Sequence, residues 1–224
     1  MHDTVVFLGP SLPVPEARSL FDADFLPPIR RGDIDRLPKC VRSIGIIDGE
    51  FFQSLAVSPK EVLKALGNGV RVFGSSSMGA LRAAETHAFG MVGIGRVFEM
   101  FRDGVLDADD EVALSYEPLS YRPLSDPMVN LREALALAQA VGAITEAKRQ
   151  ELIATMKACY FPHRSWRMLE QMCPELKQFA QGRQLPDVKR DDARALLAAM
   201  RQARGLRPLE RNEISTGTEV LTPL

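Results

Sequence analysis

Apolar residues fall first into short unbroken runs and later into helical spacing, and the change of rhythm divides the chain. Thr4–Leu8 (TVVFL) is apolar and β-branched and closes at Gly9-Pro10, which predicts a buried strand followed by a turn. Residues 11–40 carry Pro13, Pro15, Pro27, Pro28 and Pro38 among charges, so loops are expected there, with one short helix near Pro15–Phe21. Ser43–Ile47 (SIGII) predicts a second buried strand, stopped by Asp48-Gly49. Ser58-Pro59-Lys60-Glu61 then combines an N-cap serine, a proline at the first helical position and a glutamate that completes a capping box. Gly67-Asn68-Gly69 ends that helix. Val70–Phe73 predicts a third strand, Gly74–Ser77 a tight turn, and Met78 to about Ala88 a helix.

Residues 43–89 therefore read strand, helix, strand, helix: a parallel βαβ unit with a right-handed crossover. Ligands of such sheets gather at the carboxyl ends of the strands, which brings Asp48, Lys60 and Ser77 toward one edge. Gly90–Gly95 (GMVGIG) follows a helix rather than a strand, so it reads as a turn feeding a helix around Arg96–Arg102, not as a dinucleotide loop. The acidic run Asp107–Glu111 reads as a solvated loop. From about Asp126 the spacing turns helical, with helices expected over Pro127–Ala140, Thr145–Tyr160, Ser165–Met172 and Asp191–Arg204. The expected fold class is α/β. A central, mostly parallel sheet with flanking helices spans 1–125, a helical C-terminal region spans 126–213, and 214–224 form a loose tail.

Composition changes this picture little. The 224 residues suit one sizeable domain, alone or with a helical extension. A formal net charge of -1 gives no global reason to expect nucleic acid or an anionic membrane as partner. No apolar run is long enough to cross a bilayer, and the first residues lack the basic start and apolar core of a signal peptide, so the cytosol is expected. Cys40, Cys159 and Cys173 are widely spaced, and neither a disulfide framework nor a zinc site is expected. Without paired histidines or a P-loop, no metal and no cofactor is expected.

The candidate chemistry sits in Gly74-Ser75-Ser76-Ser77-Met78-Gly79. A serine on a sharp strand-to-helix turn is exposed to substrate, and Ser75-x-Ser77-x-Gly79 has the spacing of a nucleophile elbow. The N–H groups of Met78 and Gly79 at the helix start would stabilise an oxyanion. Serines also cap helices, so capping stands beside catalysis. A nucleophilic serine needs a base. His2, His87 and His163 are poorly placed. Lys60 begins the helix after the second strand, where the positive helix end disfavours a protonated amine. Lys64 lies a turn deeper. Asp48 is positioned to orient Lys60, to bind substrate or to form a turn. Arg82 and Glu85 are spaced to pair.

The same residues carry a resemblance. Gly9-Pro10-Ser11-Leu12, Arg31-Gly32-Asp33, Ile47-Asp48-Gly49, Lys60-Glu61, Val72-Phe73-Gly74, Ser76 to Glu85 (SSMGALRAAE) and Asp109 to Ala113 are similar, in order, to the core pattern of the TfuA-like family. The resemblance covers roughly residues 4–132. It implies a hydrolase, without cofactor, that releases sulfide from a thiocarboxylated ThiS-like sulfur carrier. A YcaO-type partner enzyme would use the sulfide for peptide backbone thioamidation. It implies a Ser-Lys pair, the serine being Ser76 or Ser77 and the lysine Lys60. Ser77 is preferred because Ser-Met-Gly at a helix start is similar to the nucleophile region of Clp-type proteases. Gly9, Pro10, Ser11, Asp48 and Arg82 join the expected substrate-binding set. The aromatic and histidine usual before the family's lysine are Ser58 and Pro59 here. The alternative is a non-catalytic protein that recruits or activates the YcaO enzyme and its peptide.

Overall fold

A computed structural model describes residues 2–51 and 55–205; the expected tail at 214–224 lies outside them. In chain order the first half runs β1 (Thr4–Phe7), α1 (Val14–Leu20), β2 (Asp24–Leu26), α2 (Asp33–Arg36), β3 (Ser43–Ile46), α3 (Pro59–Gly67), β4 (Arg71–Gly74), α4 (Met78–Thr86), β5 (Val92–Gly93) and α5 (Arg96–Arg102). All neighbouring strands pair in parallel, in the order β2-β1-β3-β4-β5. The chain builds outward from β1 to β2, then crosses back to β3. A crevice opens where such an order reverses, between the ends of β1 and β3.

Alternation along the strands assigns the two faces. Val5 and Phe7 of β1 pack with Val62, Ala65, Ala80, Ala83 and Val97, so α3, α4 and α5 cover one side. Val6 and Leu8 pack with Ala17, Leu196, Leu197 and Met200, so α1 and the last helix cover the other. The capping box of α3 forms as expected: Ser58 accepts from the Glu61 N–H and the Glu61 carboxylate accepts from the Ser58 N–H.

The C-terminal half contains α6 (Met128–Ala140), α7 (Glu146–Ala158), α8 (Trp166–Met172), α9 (Pro174–Ala180) and α10 (Val188–Gly205). Helices α6 to α9 share a core of their own, including Leu131, Leu135, Leu152, Met156, Leu169 and Leu176. Helix α10 leaves that core and lies on the sheet. The acidic run is solvated only in part: Asp107 and Asp109 are exposed, whereas Asp110 and Glu111 turn inward to cationic partners. Glu111 is 1% exposed and takes a bidentate pair from Arg132 at 2.7 and 2.8 Å. Asp110 binds Lys157 at 2.6 Å and the buried Arg164, which ties this segment to α7. Among the described residues no helix is long and apolar enough to cross a membrane.

One polar bond fixes α5 against α10. The buried Asp192 carboxylate accepts the N–H groups of Arg96 and Val97, each at 2.8 Å. Burial raises its pKa to about 6, against the backbone donors that favour the charged form. A carboxyl whose pKa rises above ~3.9 on folding supports the fold fully below that value and loses its contribution as pH climbs through about 6. Asp192→Asn should therefore flatten the stability-versus-pH curve between about pH 4 and 6, measured as the wild-type minus variant difference in urea midpoint.

Candidate functional site

β4 ends at Gly74 and α4 begins at Met78, so three serines make the turn. The Ser77 N–H donates to the Ser75 carbonyl at 2.7 Å and Ser76 stands at φ 64. That is a γ-turn with a left-handed non-glycine at its centre, a strained arrangement of the kind that clusters at functional sites. Its closeness to the sheet depends on glycine: a Cβ on Gly74 would lie 2.2 Å from the Gly79 carbonyl oxygen.

Neighbouring loops hold the turn in place. The Ser76 hydroxyl donates to Ser11 Oγ at 2.8 Å, and the Ser11 hydroxyl donates to Asp48 Oδ1 at 2.6 Å. Asp48 Oδ2 also accepts the N–H groups of Gly9 and Ser11 at 2.9 and 3.0 Å. One buried carboxylate thus joins the segments that follow β1, β3 and β4. Ser76 spends its hydrogen on that chain, which separates it from its neighbour.

Ser77 occupies the N-cap position of α4, yet its side chain caps nothing. Its Oγ lies 3.1 Å from Nζ of Lys189, in the first turn of α10. Lys189 is 2% exposed, donates to the Val112 carbonyl at 2.6 Å, and has no ion pair among the described residues. Burial pushes its pKa well below the ordinary lysine value, and the attraction of Asp48 and Asp187 offsets this only in part. The positive end of an 18-residue helix acts in the same direction as burial. Asn130 fixes the start of α10, donating to Asp187 Oδ1 at 2.8 Å and accepting the Lys189 N–H at 3.4 Å.

Ser77, Lys189, Asp48 and Gly49 face a cavity of about 530 Å³. Its walls are aromatic and proline-rich: Phe51, Tyr116, Tyr121, Tyr160 and Phe161 with Pro10, Pro28 and Pro162. On one wall Glu50 Oε1 accepts from the Tyr116 hydroxyl at 2.9 Å and from Arg30 at 3.3 Å. A neutral amine on a serine hydroxyl, in a largely apolar cleft at the switch point of a parallel sheet, can carry out acyl transfer.

The other expected site residues divide. Pro10 and Asp48 line the cavity; Gly9 and Ser11 hold the Asp48 network. Lys60 does not meet Ser77. It is exposed on α3, whose buried residues Val62 and Ala65 pack on the face opposite α10, and the amine at the serine is Lys189. Lys64 pairs with Asp35 at 2.8 Å. Arg82 is a brace and not a cavity residue: it donates to the Val57 carbonyl at 2.7 Å and pairs with Glu85 at 2.6 Å, as its spacing suggested. Gly79 is not an available donor, because its N–H goes to the Ile47 carbonyl at 3.3 Å. The Met78 N–H has no acceptor among the described residues. Among the described residues no histidine lines the cavity.

Lys189 had a readable signal. The buried positions of α10 are 188, 189, 192, 193, 196, 197 and 200, one continuous helical stripe. That stripe contains a lysine and an aspartate, both of which form polar bonds to other elements. A helix begun at Asp191 hides the lysine.

No curated protein matches the chain. The family model described as TfuA-like protein matches residues 48–165, which include Asp48 and the whole serine turn but not Lys189. Because that match spans just over half of the 224 residues, the chain belongs to the TfuA-like family, which is linked to YcaO-associated thioamidation.

Proposed function

We propose that this protein hydrolyses the thiocarboxylated C-terminus of a ThiS-like sulfur carrier and releases sulfide for a YcaO partner that thioamidates a peptide backbone. The observation that carries the reading is the 3.1 Å contact between Ser77 Oγ and the buried amine of Lys189, which has no carboxylate partner among the described residues. Neutral Lys189 takes the Ser77 proton as Oγ attacks the thiocarboxylate carbon. Collapse of the tetrahedral species breaks the C–S bond, and the lysine ammonium protonates the departing sulfur. Lys189 then deprotonates a water that cleaves the Ser77 ester, freeing the carrier carboxylate. The sum is thiocarboxylate plus water giving carboxylate plus hydrogen sulfide. Aromatic and proline walls suit a narrow, extended tail, and a tail seated there would displace water from the cavity, which strengthens electrostatic stabilisation inside.

Ser77→Ala should reduce sulfide release from a thiocarboxylated carrier to background, with the fold retained by circular dichroism. Ser76→Ala should keep measurable release, since its hydroxyl is committed to Ser11. Release that survives in Ser77→Ala sinks the reading. Wild type that releases nothing, while still supporting thioamidation with added sulfide, replaces it with a recruiting role.

A further inference from the structure

A tetrahedral oxyanion on Ser77 needs fixed donors, and removing one such donor typically lowers kcat by about 10²–10³. The start of α4 supplies fewer than its sequence suggests, since the Gly79 N–H is committed to Ile47. Buried backbone N–H groups rarely lack an acceptor, so those that do require an explanation. Met78 is one. Gly49 is another: it is buried, it lines the cavity with Ser77, and its N–H has no acceptor among the described residues.

The direction of that N–H follows from its pairing. Gly49 bridges Ile29 in parallel, with the Ile29 N–H donating to the Asp48 carbonyl at 2.9 Å and the Glu50 N–H donating to the Ile29 carbonyl at 3.1 Å. In a parallel ladder the bracketed residue turns its own N–H away from that partner. The start of α4 lies close to Gly49: a Cβ on Gly49 would lie 2.8 Å from Met78 Cγ and 2.9 Å from Met78 Cβ. Gly49 is not among the glycines at positive φ, so its missing side chain provides room and not backbone freedom.

We infer that the N–H groups of Gly49 and Met78 together form the oxyanion hole of this site, with Gly49 as the donor contributed by the β3 loop. This rests on the reading of Ser77 as nucleophile. The β3 loop then contributes twice to the site: Asp48 braces the serine turn, and the next residue binds the charge that develops on the substrate oxygen.

The test is a peptide boronic acid ending in the boron analogue of glycine, added to isotope-labelled wild-type protein. Intact mass establishes adduct formation, and its loss in Ser77→Ala locates it. The expected result is that the Gly49 and Met78 amide protons shift downfield more than any others when the boronate forms. An adduct that leaves the Gly49 amide unmoved, or that moves Gly79 or Ala113 in its place, overturns the hole while leaving the nucleophile intact. Failure to form any adduct at Ser77 removes the nucleophile and the hole with it. As a second measurement, Gly49→Ala, whose Cβ would crowd both Ile29 and Met78, should lower kcat by about 100-fold or more with KM little changed. An unchanged kcat counts against the hole.

Discussion

Lys189→Ala should lower sulfide release by about 10²–10⁴-fold, the range that a positioned general base supplies, while Lys60→Ala leaves it unchanged. The contrast follows from placement. Lys189 Nζ lies 3.1 Å from Ser77 Oγ and both residues are buried at the cavity floor, whereas Lys60 stands in solvent on a helix across the sheet from α10. A lysine serves as base only when neutral, and burial is what favours neutrality here. The acid limb of the wild-type rate profile should therefore fall well below the ordinary lysine range and vanish in Lys189→Ala. A profile governed by Lys60, or a Lys189→Ala rate near wild type, would refute the assignment. The same burial has a thermodynamic side. A lysine whose folded pKa is depressed weakens the fold at every pH below that folded value. The penalty fades as pH rises toward about 10.4, where the unfolded chain also gives up its proton. Lys189→Met should accordingly raise Tm at neutral pH, by about 2–4 °C for each kcal/mol recovered, as it abolishes release.

Gly79→Ala should fail to accumulate as folded protein. A Cβ at that position would lie 1.7 Å from the Ile46 carbonyl oxygen and 2.6 Å from the Ile46 carbonyl carbon. Those are backbone atoms of β3, so no side-chain rotation relieves the overlap. Either α4 lifts from the sheet or β3 parts from β4. Either loss belongs with the exceptional substitutions, more than about 4 kcal/mol, in a fold whose whole stability is about 5–15 kcal/mol. Gly67→Ala is the control, because a Cβ there meets nothing within 4 Å at the end of α3. That variant should be neutral or slightly stabilised, since alanine favours helix over glycine. Urea midpoints of the two variants test the pair; a Gly79→Ala protein with a near-native midpoint would contradict the packing described.

What was legible in the chain follows from how local each signal is. β1, β3 and β4 are apolar runs between turn residues, and the α3 start carries its capping residues within four positions, so these elements were evident. β2 and β5 have three and two residues, too short for any period to register, and both lie at sheet edges. The serine turn was recognisable as a strand-to-helix junction, but its strain was not. That strain depends on Ser11 and Asp48, from loops distant in sequence. The acidic run reads as solvated because Arg132, Lys157 and Arg164, which neutralise it, come from α6, from α7 and from the connection between α7 and α8. Lys60 attracts the assignment because topology places the start of its helix near the strand ends. Topology fixes the edge on which a helix begins and leaves open which way a first-turn side chain points.

Five residues in the first half of α10 reach four different places. Lys189 meets the serine turn, Arg190 and Arg194 both bind Glu16 on α1, Asp192 secures the start of α5, and Leu196 enters the core on the sheet. Detaching this one helix would free all of them at once. Its hydrogen-exchange opening energy should then equal the energy that separates active from silent protein. The molecule would behave as a latch: a change that loosens α10 extinguishes the chemistry before the sheet itself begins to melt.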